Sequence, residues 1–185
     1  MKRLFVAVNI VPNSRLLQAY SEIQKRCHAG KIKWVDAHLF HLTLKFIGET
    51  PQDSIDKISK VLRKVAIDTD AFTFNLKGVG IFGSSYHPRI IRVNIEDGMG
   101  LITLGNKIAT GLEAIGFPQD RQNFVPHLTL GRIKKVQDKE FFQQTIKMYQ
   151  SQFFQKVSVS EIILYESVLH LSGPEYFILE KYKLG

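Results

Sequence analysis

The chain has 185 residues, 44% of them hydrophobic and 23% charged. That is enough length to bury about 70% of its unfolded surface, so a packed core is expected and a disordered tail protein is excluded. Lys and Arg outnumber Asp and Glu by 25 to 17, a formal charge of +8 that favours a polyanionic partner. Cys27 is the only cysteine, which excludes an intramolecular disulfide and a multi-thiolate metal site and makes the cytoplasm the expected location. No stretch offers eighteen consecutive apolar residues, so neither a transmembrane helix nor a membrane partner is expected.

The N-terminus, Met1-Lys2-Arg3-Leu4-Phe5-Val6-Ala7-Val8, starts basic and turns apolar, but it is short for a leader and alternates as a strand does, over residues 3–10. Pro12-Asn13-Ser14 is a helix start, and Leu16, Leu17, Tyr20 and Ile23 carry a helical period to about Arg26. A short extended piece at 32–35 precedes a strand over 39–47 that stops at Gly48. A second helix follows Pro51. Its apolar positions are Ile55, Ile58, Val61, Leu62 and Val65, with Lys57, Lys60, Arg63 and Lys64 on the wet side.

Alternation at Phe72, Phe74 and Leu76 leads through a glycine-containing loop at 83–88 to a return strand over 89–95, a hairpin pattern. A third helix spans 98–115 and ends at Gly116-Phe117-Pro118. The remaining elements are a strand over 124–134, a helix over 138–148, one long strand over 156–169, a turn at Ser172-Gly173-Pro174 and a strand over 176–183. The order β-α-β-α-β-β-α-β-α-β-β predicts an α+β protein, one domain over 1–185. Two pseudo-symmetric antiparallel sheets would carry helices on their outer faces and enclose a central cleft.

One tetrapeptide occurs twice. His41-Leu42-Thr43-Leu44 returns letter for letter as His127-Leu128-Thr129-Leu130, each copy within a predicted strand. A lone His-x-Thr is weak evidence and fits a satisfied structural histidine, but two copies sharing four letters do not fit chance well. On a strand, residues i and i+2 share a face, so each copy presents an imidazole beside a hydroxyl. Two such pairs facing each other supply two groups that titrate near neutrality and two neutral donors, a set suited to one phosphate.

By the same alternation Lys45 shares the face of His41 and Thr43 and is a candidate contact for a phosphate-bearing substrate, whereas Phe46 falls out of phase and is assigned to the core. Arg132 lies at odd spacing from His127 and would face away on an ideal strand. His28, His38, His87 and His170 lack acidic residues at metal-ligand spacing, and no His-Glu-x-x-His or Gly-Lys-Ser/Thr pattern is present, so no metal or nucleotide cofactor is expected.

These residues resemble the two-histidine phosphoesterases, specifically the RNA 2′,3′-cyclic phosphodiesterases also called 2′-5′ RNA ligases. The likeness rests on Arg3-Leu4-Phe5-Val6-Ala7-Val8, Trp34-Val35, His41 through Glu49, Phe124 through Arg132, Leu164-Tyr165-Glu166-Ser167 and Gly173-Pro174-Glu175-Tyr176. It covers nearly the whole chain. Arg92 stands where related sequences often carry an aromatic residue.

The resemblance implies a bilobal fold with a water-filled cleft and metal-independent hydrolysis of a terminal 2′,3′-cyclic phosphate to a 2′-phosphate. It makes His41 the general acid and His127 the general base, and it brings Arg132 to the phosphate, which requires a bulge or twist near Gly131. Expected partners are RNA with 2′,3′-cyclic ends or small cyclic nucleotides, with no obligate protein partner. Two alternatives stay open: a non-catalytic nucleotide- or RNA-binding module, and 2′-5′ joining, the reverse reaction.

Overall fold

A computed structural model describes residues 1–118, 124–171 and 173–185. In chain order the elements are β1 (Lys2–Asn9), α1 (Ser14–Arg26), β2 (Lys31–Trp34), β3 (His41–Thr50), α2 (Ile55–Ile67), β4 (Phe72–Gly83), β5 (Pro88–Glu96), α3 (Met99–Glu113), β6 (Leu128–Lys135), α4 (Lys139–Met148), β7 (Phe153–Val159), β8 (Glu161–His170) and β9 (Gly173–Lys183). They form a four-stranded sheet in the order β3-β1-β8-β9 and a five-stranded sheet in the order β2-β6-β5-β4-β7, with every pairing antiparallel. The α+β class with two antiparallel sheets is as the sequence predicts.

Each helix forms for local reasons and is held by the face it buries. The Asn13 side chain caps α1 by accepting from the Leu16 N–H at 2.9 Å, and Asp138 caps α4 by accepting from the Phe141 N–H at 2.9 Å. Helix α2 buries Ile58, Leu62 and Ala66, and α3 buries Leu101, Leu104, Ile108 and Leu112. These two helices pack together and cover the four-stranded sheet, while α1 and α4 lie against the five-stranded one.

Strand β1 shows why this leaves a cleft. Leu4, Val6 and Val8 join the main core, whereas Phe5 and Ala7, on the opposite face, join a small separate cluster with Ile163, Tyr165 and Tyr176. The second face is therefore aromatic and borders open space.

Several boundaries differ from the sequence reading, and three of them shape the sheets around the cleft. The single strand predicted over 156–169 is two strands, since β7 pairs with β4 in one sheet and β8 with β1 in the other, and the chain changes sheet at Ser160. Strand β7 alternates and β8 opens on the continuous apolar run Ile162 to Tyr165, but both patterns suit a strand and no Gly or Pro stands between them to mark the break. Strand β3 does not stop at Gly48, which takes a φ of +84° and lets the strand continue to Thr50. The second motif strand starts at Leu128, and residues 124–127 precede it without strand pairing. Of the predicted turn, Ser172 lies outside the described residues, while Gly173 and Pro174 already belong to β9, paired with His170 and Leu169.

Candidate active site

Both motif histidines line one cleft between the sheets, of about 1030 Å³, together with Thr43 and Thr129. The ring of each is fixed in the same way. His41 Nδ1 is 2.8 Å from the Leu39 carbonyl, and His127 Nδ1 is 2.8 Å from the Val125 carbonyl, in both cases two residues back along the chain. A carbonyl oxygen only accepts, so Nδ1 must carry the hydrogen and donate. That leaves Nε2 as the nitrogen that can gain or lose a proton toward the cleft.

Burial pushes the His41 imidazole below its ordinary pKa; the bond to Leu39 opposes this, and the charges of Arg132 and His127 add to the lowering. His127 is likewise lowered, first by burial and then by Arg92 and Arg132, against its bond to Val125. The two rings nonetheless have different neighbours. His41 is boxed by aromatics, with the Phe5 ring at 5.1 Å and the Tyr176 ring at 5.2 Å and perpendicular. His127 meets the Phe82 ring edge-on at 4.7 Å, and the Arg92 guanidinium lies over that same ring at 4.3 Å.

A shared irregularity sets what else enters the cleft. Along β1 and β3, Ala7 pairs with Thr43 and Val6 with Lys45, so Leu44 is an extra residue; along β5 and β6, Arg92 pairs with Thr129 and Ile91 with Gly131, so Leu130 is extra. Each bulge falls on the last letter of the repeated tetrapeptide and reverses the alternation beyond it. Leu44 and Lys45 are both buried, as are Leu130 and Gly131. Phe46 and Arg132 then emerge into the cleft.

Two sequence assignments are corrected by this. Lys45 is only 4% exposed, and its Nζ donates to the Pro118 carbonyl at 3.0 Å, so it does not line the cleft. Phe46 is 53% exposed and lines it. Simple alternation fails at both positions because the bulge lies between them and the histidine. Arg132 reaches the cleft through the irregularity beside Gly131. Glycine is needed there, as a Cβ would sit 2.9 Å from the Ile32 and Trp34 side chains.

Sequence reasoning missed Phe5, Tyr176 and Phe82 as walls of the two histidines, and Arg3, Lys33 and His170 as cleft residues. Phe5 had a readable signal, since Arg3, Phe5 and Ala7 alternate against the apolar Leu4, Val6 and Val8. His170 is paired with Glu175 at 3.1 Å, and His38 with Asp36 at 2.7 Å. Among the described residues no three His, Cys, Asp or Glu side chains converge as a set that could hold a metal ion. None of the described helices is long and apolar enough to cross a membrane.

Comparison with known proteins agrees with this geometry. The family model described as the 2'-5' RNA ligase superfamily matches residues 12–170. The chain is similar to proteins named RNA 2',3'-cyclic phosphodiesterase from Thermotoga maritima, 31% identical over 96% of this chain and 92% of the relative, and from Aeropyrum pernix, 32% identical over 84% and 89%. Among solved structures it resembles TT0787 of Thermus thermophilus, with 28% identity, a TM-score of 0.79 and coverage of 98% and 97%. Escherichia coli LigT in its apo form shares the fold at 21% identity, with a TM-score of 0.73 and coverage of 99% and 97%.

Proposed function

Because this chain belongs to the 2'-5' RNA ligase superfamily, we propose that it is a hydrolase opening the 2′,3′-cyclic phosphate at the 3′ end of RNA, without a metal, to leave a 2′-phosphate. The observation that carries this is the matched pair of imidazoles on one cleft, each clasped through Nδ1 so that Nε2 is the working atom. The relatives' names agree with that chemistry. The expected location is the cytoplasm.

His127 Nε2 takes a proton from water as its oxygen attacks phosphorus. The P–O3′ bond breaks on the opposite side, and the departing O3′ receives a proton from His41 Nε2. Each transfer is worth about 10²–10⁴ in rate. His127 must start neutral, which its buried position beside two arginines favours. His41 must start protonated, and the negative charge of a bound phosphate favours that form. Afterwards the two rings exchange protons with solvent and the cycle closes.

Thr43, Thr129 and Arg132 donate to the non-bridging oxygens, where charge gathers in the transition state. The test is incubation with EDTA and an oligonucleotide bearing a 2′,3′-cyclic end. The expected product carries a 2′-phosphate. An intact cyclic end on RNA that still binds would replace this reading with that of a binding module.

A further inference from the structure

Three cations line the cleft beyond the motif pairs. Along the four-stranded sheet, His41, Thr43 and Phe46 on β3 pair with Asn9, Ala7 and Phe5 on β1, and the next cleft-facing residue of β1 is Arg3. Along the five-stranded sheet, His127 and Thr129 are followed by Arg132, and Lys33 on the outer strand β2 is its cross-strand partner. The Tyr176 phenol lies within the fields of both Arg132 and Arg3, which act against the rise caused by its burial. The cations therefore gather past the same end of the two motifs.

None of Arg3, Lys33 and Arg132 forms an ion pair with a carboxylate among the described residues, whereas the two acids of the cleft, Asp36 and Glu175, are paired with His38 and His170. With three cations against two carboxylates, the cleft carries a local excess of positive charge. One cyclic phosphate, met by Arg132 and the motif pairs, does not account for Arg3 and Lys33. At about 1030 Å³ the cleft also stands at the top of the range for small-ligand pockets, about 300–1,000 Å³.

We propose that Arg3 and Lys33 hold backbone phosphates upstream of the terminal cyclic phosphate, so that the substrate is an RNA strand of several nucleotides rather than a cyclic mononucleotide. This rests on the hydrolase reading above and adds the length of chain that the site recognises. Both side chains are exposed, so neither is needed for the core. Contacts of this kind act through phosphate charge, are indifferent to base sequence and weaken with salt.

The test compares a 2′,3′-cyclic mononucleotide with a tetranucleotide ending in the same cyclic nucleotide, over a range of salt, for the wild type, Arg3→Gln, Lys33→Gln and the double variant. The wild type should prefer the tetranucleotide in kcat/KM and lose that preference as salt rises, with a logarithmic slope of about −0.7 for each phosphate contact. Each single variant should reduce the tetranucleotide-to-mononucleotide ratio by about two- to fivefold, the scale of an exposed ion contact, and the double variant by about tenfold. Circular dichroism checks that the variants are folded. Equal kcat/KM for the two substrates in the wild type, or a ratio untouched in the double variant, overturns this inference while leaving the hydrolase reading in place. If the wild type opens neither substrate, the hydrolase reading fails first and this inference with it.

Discussion

Phe46 and Arg132 hold the same position in the two halves of the molecule: each follows its motif histidine by five residues and enters the cleft because a bulge at Leu44 or Leu130 reverses the strand's alternation. The repeat therefore extends past its four letters in backbone geometry but not in chemistry. One half presents an aromatic ring at this point, the other a guanidinium. Under the proposed function this predicts a division of labour, the cation for the phosphoryl oxygens and the ring for the nucleobase.

Arg132→Ala should lower kcat by about 10²–10³, the cost of losing a donor aimed at developing charge. Phe46→Ala should instead raise KM with kcat nearly kept, by an amount corresponding to the loss of about 1–3 kcal/mol of base stacking. Steady-state kinetics on one cyclic-ended oligonucleotide separate the two. Equal effects on KM and kcat from both changes would contradict the division.

His41→Ala and His127→Ala should each remove about 10²–10⁴ of the rate while the fold persists. Activity added back by a divalent cation in either variant would count against two-imidazole acid–base chemistry. Conversion of a 2′,3′-cyclic end to a 2′-phosphate end, followed with and without EDTA, decides it.

The pH dependence has a defined sign. Both imidazoles have folded pKa values below the ordinary histidine value, so the folded protein binds protons less readily than the unfolded chain. The stability they contribute is full above the unfolded histidine pKa of about 6.5 and is lost as pH falls through that value toward the lowered folded ones. Melting temperatures should therefore decline below about pH 6.5, and less so in His41→Ala.

The kcat/KM profile should be bell-shaped. Arg92→Gln removes a cation near His127, so protonating that ring becomes easier and its pKa rises. The acidic limb of the profile should then move toward neutrality. An unmoved limb would mean that Arg92 acts only by holding the Phe82 ring in place.

Gly131→Ala should destabilise the protein by about 1–3 kcal/mol, because its methyl would press on Ile32 and Trp34 at the bulge. It should also lower kcat, since the same bulge aims Arg132. A thermal melt read beside turnover shows whether both quantities fall together.

Much of this was legible in the chain. Apolar spacing in α1 and α2 and the hairpin β4–β5 are local patterns, and a period is visible wherever one face is buried. The two His-x-Thr pairs were visible because i, i+2 spacing needs no knowledge of partner strands. What was hidden depends on pairing. Lys45 and Phe46 were assigned to each other's side because the residue that slips out of register, Leu44, looks like any buried strand leucine. The move of the chain at Ser160 was hidden because β7 and β8 both read as strand and no Gly or Pro separates them, so only the pairing shows that they join different sheets. Tyr176, far along the chain from His41, reaches it only through the pairing of β8 with β9 and of β1 with β8.

That change of sheet has a consequence for the two halves. Strands β8 and β9 return to the sheet that holds β1 and β3, while β2, from the first half, forms the edge of the sheet built by the second. Neither half of the sequence owns a complete sheet. Cutting the chain between the two motifs would thus yield fragments that each lack strands the other supplies, and the gap across which the histidines face each other is braced by covalent crossings in both directions.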